Sequence, residues 1–213
     1  DLVHWSNVKL VKISENNKNK IKRTWAPEIY YDSDFSNAFM VAFSSDVGTD
    51  SLHVYFTTTT NFADWTEPQD LYRKPDDTTV IDGFVAKVGT GKYVIATAQN
   101  NAAWLADGPT PYGPWTTRAS GTSAGGDEGP ALAKIGNNWH LYYDNYGFSD
   151  NVFGMMVSTD NATNWTDVTG LTDMPAKADV PDYGYDGGPP HHSTVFAAPR
   201  ATLGAFMKPH QDS

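Results

Sequence analysis

Apolar and polar residues alternate along most of the chain in short runs, and the runs gather into sets divided by turn residues. Alternation with a period of two over a handful of positions is the pattern of a half-buried strand. Glu28 to Tyr31, Phe39 to Ser44 and Leu52 to Thr59 form one set. Phe84 to Val88, Lys92 to Thr97 and Ala102 to Ala106 form the next, and Pro130 to Ile135, Trp139 to Asp144 and Phe153 to Ser158 a third. A last partial set begins near His191-His192-Ser193-Thr194-Val195-Phe196. Gly89-Thr90-Gly91 and Gly136-Asn137-Asn138 supply hairpin turn chemistry between strands. Only the short tail after Arg200 suggests a helical period. The pattern predicts an all-β chain.

The sets repeat. Trp5, Trp65, Trp115 and Trp165 lie 60, 50 and 50 residues apart. Each closes a comparable phrase, as in Asn61-Phe62-Ala63-Asp64-Trp65 and Asn161-Ala162-Thr163-Asn164-Trp165. A period near 50 with several short strands per repeat is that of a β-propeller blade. The expectation is a propeller of about four to five blades built from four-stranded antiparallel sheets. Each blade should close near its tryptophan, which is a structural residue because a site residue need not recur in every blade.

Acidic residues stand at the start of strands in three successive units: Glu28 in Trp25-Ala26-Pro27-Glu28, Asp82 in Ile81-Asp82-Gly83 and Glu128 in Asp127-Glu128-Gly129-Pro130. Three such acids at similar positions suggest convergence on one site. Paired carboxylates across a sugar ring are the machinery of glycosidic bond cleavage. Each also has a plainer reading: Glu128 as an acceptor in a strand turn, Asp82 in an Asx-turn, Glu28 fixing a turn after Pro27.

Composition narrows the classes. The 213 residues suit one domain, 1–213, burying roughly 70 % of its unfolded surface. Aromatics make up 13 % and charged residues 19 %, as in a globular β-rich chain. The net charge of −10 repels phosphate backbones and argues against a nucleic-acid partner. The basic run Lys18 to Arg23 reads as a solvated loop. No stretch approaches the ~18–20 apolar residues of a membrane span, so no membrane partner is expected. With no Cys there is no disulfide framework. Two glycosylation sequons, at Asn161 and Asn164, and a start at Asp1-Leu2 that suggests upstream processing or truncation point toward a secreted, extracellular protein.

Taken in order, the Asp1-to-Trp5 phrase, Trp25-Ala26-Pro27-Glu28, Ile81-Asp82-Gly83, Glu128-Gly129-Pro130 and the late His-His-Ser stretch resemble the family 43 glycoside hydrolases. These are five-bladed β-propeller enzymes that mostly act on arabinose- and xylose-containing polysaccharides. The resemblance implies an inverting reaction with Glu128 as general acid and Asp82 as the acid that tunes it. It places the general base in a first blade that would precede Asp1. Asp32, Asp34 or Asp186 would then be the substitutes, and the chain as given would bind sugar and hydrolyse it poorly. The alternative is a non-catalytic, lectin-like sugar-binding propeller. Trp25, Phe84, Trp104 and Tyr146 are candidate sugar platforms, although aromatics in a propeller are more often inter-blade core. The resemblance requires no cofactor but implies a calcium ion in the central channel near a His, with His191 and His192 at that place. Calcium prefers oxygen donors, so such an ion would be held largely by water. The implied partner is a polysaccharide or oligosaccharide.

Overall fold

The computed structural model describes residues 10–12, 14, 21–47, 51–118, 122–123, 127–145, 153–171, 192 and 194–195. They form twelve strands: β1 Ile21–Tyr30, β2 Phe39–Val47, β3 His53–Thr59, β4 Gln69–Tyr72, β5 Ile81–Gly89, β6 Lys92–Gln99, β7 Ala102–Gly108, β8 Thr116–Thr117, β9 Asp127–Ile135, β10 Asn138–Asn145, β11 Phe153–Ser158 and β12 Thr166–Asp167. A single 3-10 turn follows at Thr169–Leu171, and no α-helix occurs among the described residues. None of them forms a helix long and apolar enough to cross a membrane.

The strands make three sheets of four, ordered β1-β2-β3-β4, β5-β6-β7-β8 and β9-β10-β11-β12, every pair antiparallel. These are three blades of a propeller, with β1, β5 and β9 innermost. The expected fourth set falls on residues outside the described ones, apart from His192, Thr194 and Val195.

The middle blade explains the apolar pattern. One face of it packs Val85, Ile95 and Ala106 against Met40, Ala42, Val54 and Phe56 of the first blade. The other face packs Ala86, Val94, Ala96, Ala103 and Leu105 against Leu132, Leu141 and Tyr143 of the third. Successive side chains on a strand point to opposite faces. A sheet buried on both sides therefore reads as the continuous run Tyr93-Val94-Ile95-Ala96 rather than as clean alternation.

The three described blades close near their tryptophans, as the repeat predicts. Trp65, Trp115 and Trp165 each precede the short outermost strand, β4, β8 or β12. The outermost strands escape a pattern reading because β8 and β12 have two residues each. The phrase before each tryptophan is a turn. Asn61 Oδ1 accepts from the Ala63 and Asp64 amides at 2.8 and 2.9 Å, and Asp160 Oδ1 accepts from the Asn164 amide at 2.8 Å. The turn delivers Trp165 onto the core between blades two and three, and Trp115 onto that between blades one and two.

The basic run is not wholly a loop either. Ile21, Lys22 and Arg23 belong to β1. The fully buried Asp46 holds them: its Oδ1 accepts the Lys22 and Arg23 amides, and its Oδ2 the Arg23 Nε, each at 2.9 Å. The carboxylate stands in for ladder bonds lost where β1 slips register between Ile21 and Thr24.

Gly154 tests the tightness of the third blade. A Cβ placed there would lie 2.0 Å from Cε2 of the buried Tyr143 ring. Overpacking of this kind costs about 1–3 kcal/mol. Gly154→Ala should lower the urea midpoint accordingly, and pairing it with Tyr143→Leu should recover most of the loss. An unchanged midpoint for the single variant would contradict this packing.

Candidate functional site

Each innermost strand carries one left-handed residue: Ala26 (φ 49°) on β1, Asp82 (φ 59°) on β5 and Gly129 (φ 56°) on β9. Beside each, the ladder slips. The shifts fall between Trp25 and Glu28, between Ile81 and Phe84, and on β10 between Tyr142 and Asp144, opposite Gly129 and Pro130. A bulge adds a residue and re-aims the side chains around it. Ala and Asp each give up about 1–2 kcal/mol in this conformation, so their surroundings hold them there.

Two hydrogen bonds bring the bulges to one level. The Asp82 amide donates to Ser44 Oγ at 2.8 Å, and Ser44 is the β2 partner of Trp25. The Gly129 amide donates to Asp82 Oδ2 at 3.0 Å. Glu128 immediately precedes that amide, so Asp82 and Glu128 stand on the same rim of the innermost strands. Glu128 faces Asp144 directly across the β9–β10 ladder. Only glycine fits at 129: a Cβ there would lie 2.9 Å from Asp144 Oδ2 and 3.2 Å from His192 Cα.

His192 crosses from the third blade to the first. Its amide donates to both Asp144 oxygens, at 2.9 and 2.8 Å, and its Nε2 lies 3.1 Å from Glu28 Oε1. Thr194 Oγ1 donates to the same Glu28 oxygen at 2.7 Å. Glu28, Asp82 and Asp144 are all buried. Burial pushes the Asp82 carboxyl above its ordinary range, against the pull of the Gly129 amide and the His192 ring. Burial likewise pushes Asp144 up to about 6, helped by the Asp82 and Glu128 charges and opposed by His192. The bond to Glu28 raises the His192 imidazole, with Asp82 and Asp144 adding to it against desolvation. Chemically this is a cluster of buried acids, two of them shifted toward holding their protons, around one imidazole shifted toward its charged form.

Glu28 does not open its strand as the sequence suggested; it lies near the end of β1, beyond the bulge. Trp25, at the bulge, is half-exposed with the Arg23 guanidinium 5.6 Å over its ring. Phe84 packs on the core between blades two and three, and Trp104 has Lys74 Nζ 5.3 Å above its ring. Tyr146, His191 and Asp186 lie outside the described residues.

Asp32 and Asp34 are not near this rim. Lys87 Nζ reaches both, at 3.1 and 2.8 Å, and Tyr93 donates to Asp32 at 2.8 Å. Lys87 lies five residues along β5 from Asp82, roughly 16 Å at strand rise. Burial works to raise Asp32, but the bonds from Tyr93 and Lys87 prevail and hold it below the usual carboxylate range. It is an ion-paired anchor, not a substitute base.

Sequence reasoning passed over Asp144 as a site residue. The available signal was a polar residue ending the apolar alternation of Trp139-His140-Leu141-Tyr142-Tyr143, which read as a strand terminus. The donors around the cluster do not fit a directly held calcium, which takes six to eight oxygens. Glu28 is occupied by His192 and Thr194, Asp144 by the His192 amide and Asp82 by the Gly129 amide. Among the described residues no group of three or more His, Asp and Glu side chains is placed to hold a metal.

The raised acids set a pH dependence. A carboxyl that titrates higher when folded binds its proton more tightly folded than unfolded, so its penalty appears as pH rises. For Asp144 that window runs from 3.8 to about 6, worth roughly 3 kcal/mol at full ionisation. The raised His192 acts in the same sense: its contribution is complete below 6.5 and fades as pH climbs through its folded value. The contribution of these two groups to urea stability should therefore fall from pH 4 toward pH 8, while burial of His53 and His140, which lowers both imidazoles, acts in the opposite sense. Asp144→Asn should flatten the part between pH 4 and 6, and an unaltered slope in that variant would refute the assignment.

The family model described as "Probable glycosyl hydrolase domain", glycosyl hydrolase 43-related, matches residues 1–179. No curated protein sequence matches the chain. Among solved structures, an exo-beta-1,3-galactanase from Clostridium thermocellum superposes with a TM-score of 0.57 at 17% identity, covering 71% of this chain and 36% of that one. A family 117 glycoside hydrolase of the marine bacterium Zobellia galactanivorans gives 0.57 at 13%, covering 72% and 57%. The alpha-L-arabinofuranosidase of Lactobacillus brevis gives 0.50 at 21%, covering 68% and 54%. The chain thus spans between about a third and just over half of these three structures, and at such identities they speak for the fold. The family match, over most of the sequence, says more: the chain belongs to the glycosyl hydrolase 43-related family.

Proposed function

We propose that this chain is the carbohydrate-processing part of a secreted glycoside hydrolase acting on arabinose- or xylose-containing polysaccharides, with Glu128 as general acid. The observation that carries the reading is the Gly129 amide bound to Asp82. It sets Glu128 beside two buried acids, Asp82 and Asp144, on one rim. Like charges this close disfavour ionising all of them. An acid that must hand a proton to a leaving oxygen needs such a neighbourhood.

In this reading the buried Asp82 and Asp144 oppose further negative charge on the rim and so favour the protonated form of Glu128. His192 balances the charge that remains and fixes Glu28. The left-handed bulges hold the groups in place before substrate arrives, so little reorganisation accompanies the reaction. An inverting reaction also needs a base about 6.5–9.5 Å from the acid to activate water. The family resemblance assigns that base to a blade upstream of β1, and Asp32 and Asp34, between β1 and β2 and paired with Lys87 at the far end of β5, are too far from the rim to serve.

One observation favours a second reading, a sugar-binding module without turnover. Both oxygens of Asp144 and one of Asp82 already accept backbone amides, so these carboxylates serve the scaffold as well as the site.

The test is hydrolysis of aryl arabinofuranosides and aryl xylosides by the parent and by Glu128→Gln. General acid catalysis contributes about 10²–10⁴-fold, so the variant should lose at least about a hundredfold in kcat/KM on substrates with poor leaving groups. It should lose much less on dinitrophenyl glycosides, which need no proton. Sugar binding without any turnover by the parent, even with azide supplied in place of the base, would establish the binding module, and equal rates for both proteins would remove Glu128 from the acid role.

A further inference from the structure

Beyond the acid cluster, the rim holds a cavity of about 230 Å³ with Glu128 on one wall. The other walls are Thr79, Gln99, Asn100 and Asn101, with Ile81 and Ala98 beneath. Asn100 and Asn101 form the two-residue loop between β6 and β7, with φ of 51° and 57°. Two successive left-handed residues make the hairpin turn whose twist matches its strands. The turn is tied to the site: the Asn101 carbonyl accepts the Asp127 amide at 2.9 Å, one residue before Glu128.

Gln99 is the unusual member. It is 2% exposed, and its Nε2 donates to Thr97 Oγ1 at 2.8 Å, but its Oε1 is buried without a partner. A buried acceptor left without a donor destabilises the protein that holds it. It persists where something else supplies the donor. The amides of Gln99, Asn100 and Asn101 and the Thr79 hydroxyl offer donors and acceptors side by side. Sugar hydroxyls, each both donor and acceptor, match that set. Among the described residues no Lys or Arg lines the cavity, while Glu128 brings negative character. A uronate or phosphate would find no counter-charge among them.

Resting on the glycoside-hydrolase reading above, we propose that this cavity is the subsite for the leaving-group sugar and that it selects a neutral monosaccharide unit, with Gln99, Asn100 and Asn101 as its specificity residues. The general acid donates its proton to the oxygen between the two sugars. The ring that departs with that oxygen therefore sits on the acid's side of the bond, where this cavity opens. Its volume is below the about 300–1,000 Å³ of drug-sized pockets, which suits a single ring.

The experiment is calorimetry with the full 213-residue chain. The ligands are sulfur-linked arabinobiose, xylobiose and β-1,3-galactobiose, which resist cleavage, together with their monosaccharides. An S-linked xylose disaccharide ending in glucuronic acid at the leaving-group position is the charged counterpart. Asn100→Gly and Asn101→Gly keep the left-handed backbone and remove only the amides. Gln99→Met removes the unpaired oxygen at similar volume. At least one neutral disaccharide should bind about tenfold or more tighter than its monosaccharides. Each variant should lose about tenfold for the disaccharide while monosaccharide affinity stays within twofold. The uronate disaccharide should bind no better than a monosaccharide. Without sugar, Gln99→Met should melt at or above the parent temperature.

Disaccharide affinity unchanged in the three variants, or uronate binding as tight as the neutral sugars, overturns the subsite and leaves the hydrolase reading standing. A marked fall in melting temperature for Gln99→Met shows a structural amide and also overturns it. Failure of every sugar to bind overturns both readings together.

Discussion

Asp82 is where three blades meet. Its amide donates to Ser44 in the first blade, and its carboxylate accepts the Gly129 amide of the third. Apolar faces such as Ile95 against Val54, or Val94 against Leu132, drive the blades together but are weakly directional. Directional bonds at the inner ends decide how far each blade slides relative to the next. Asp82 can make both only because the bulge turns its backbone left-handed. The strained conformation and the alignment of Glu128 are thus one arrangement.

The two ends of β5 are wired differently. At the far end Lys87 pairs with Asp32 and Asp34. A lysine stays charged across the working range of any protein, so that end is a permanent fastening. At the near end the cation is His192, between Glu28, Asp82 and Asp144. Its charge answers to pH and to nearby protons. The near end is thus the pH-sensitive fastening of the two.

The repeat was legible because tryptophan recurs in the same outer turn of each blade, and the core strands because they are long and apolar. Other parts were hidden for physical reasons. Strands β8 and β12 have two polar residues each, too few to carry a period. The first half of β1 looked like a loop because a buried carboxylate, Asp46, satisfies its charged residues from the neighbouring strand. Asp82 and Glu128 could be singled out from their motifs. Asp144 could not, because a strand-ending Asp is ordinary until the bulge beside Gly129 turns it inward. Gln99 was equally silent, since an unpaired amide is a fact of three dimensions.

The contact between Glu28 and His192 joins residues 164 apart in sequence. Closing so long a loop is slow, and its entropy must be met before the contact returns anything. Within each blade, by contrast, strand pairs neighbours through short turns and can form early. The rim is therefore an end product of folding. Blades can be well ordered while the acid cluster still lacks its imidazole, and in a ribosome-bound chain the cation arrives only after every described blade has emerged. A nascent or clipped chain ending before His192 would keep its sheets and leave its buried acids without their counter-charge.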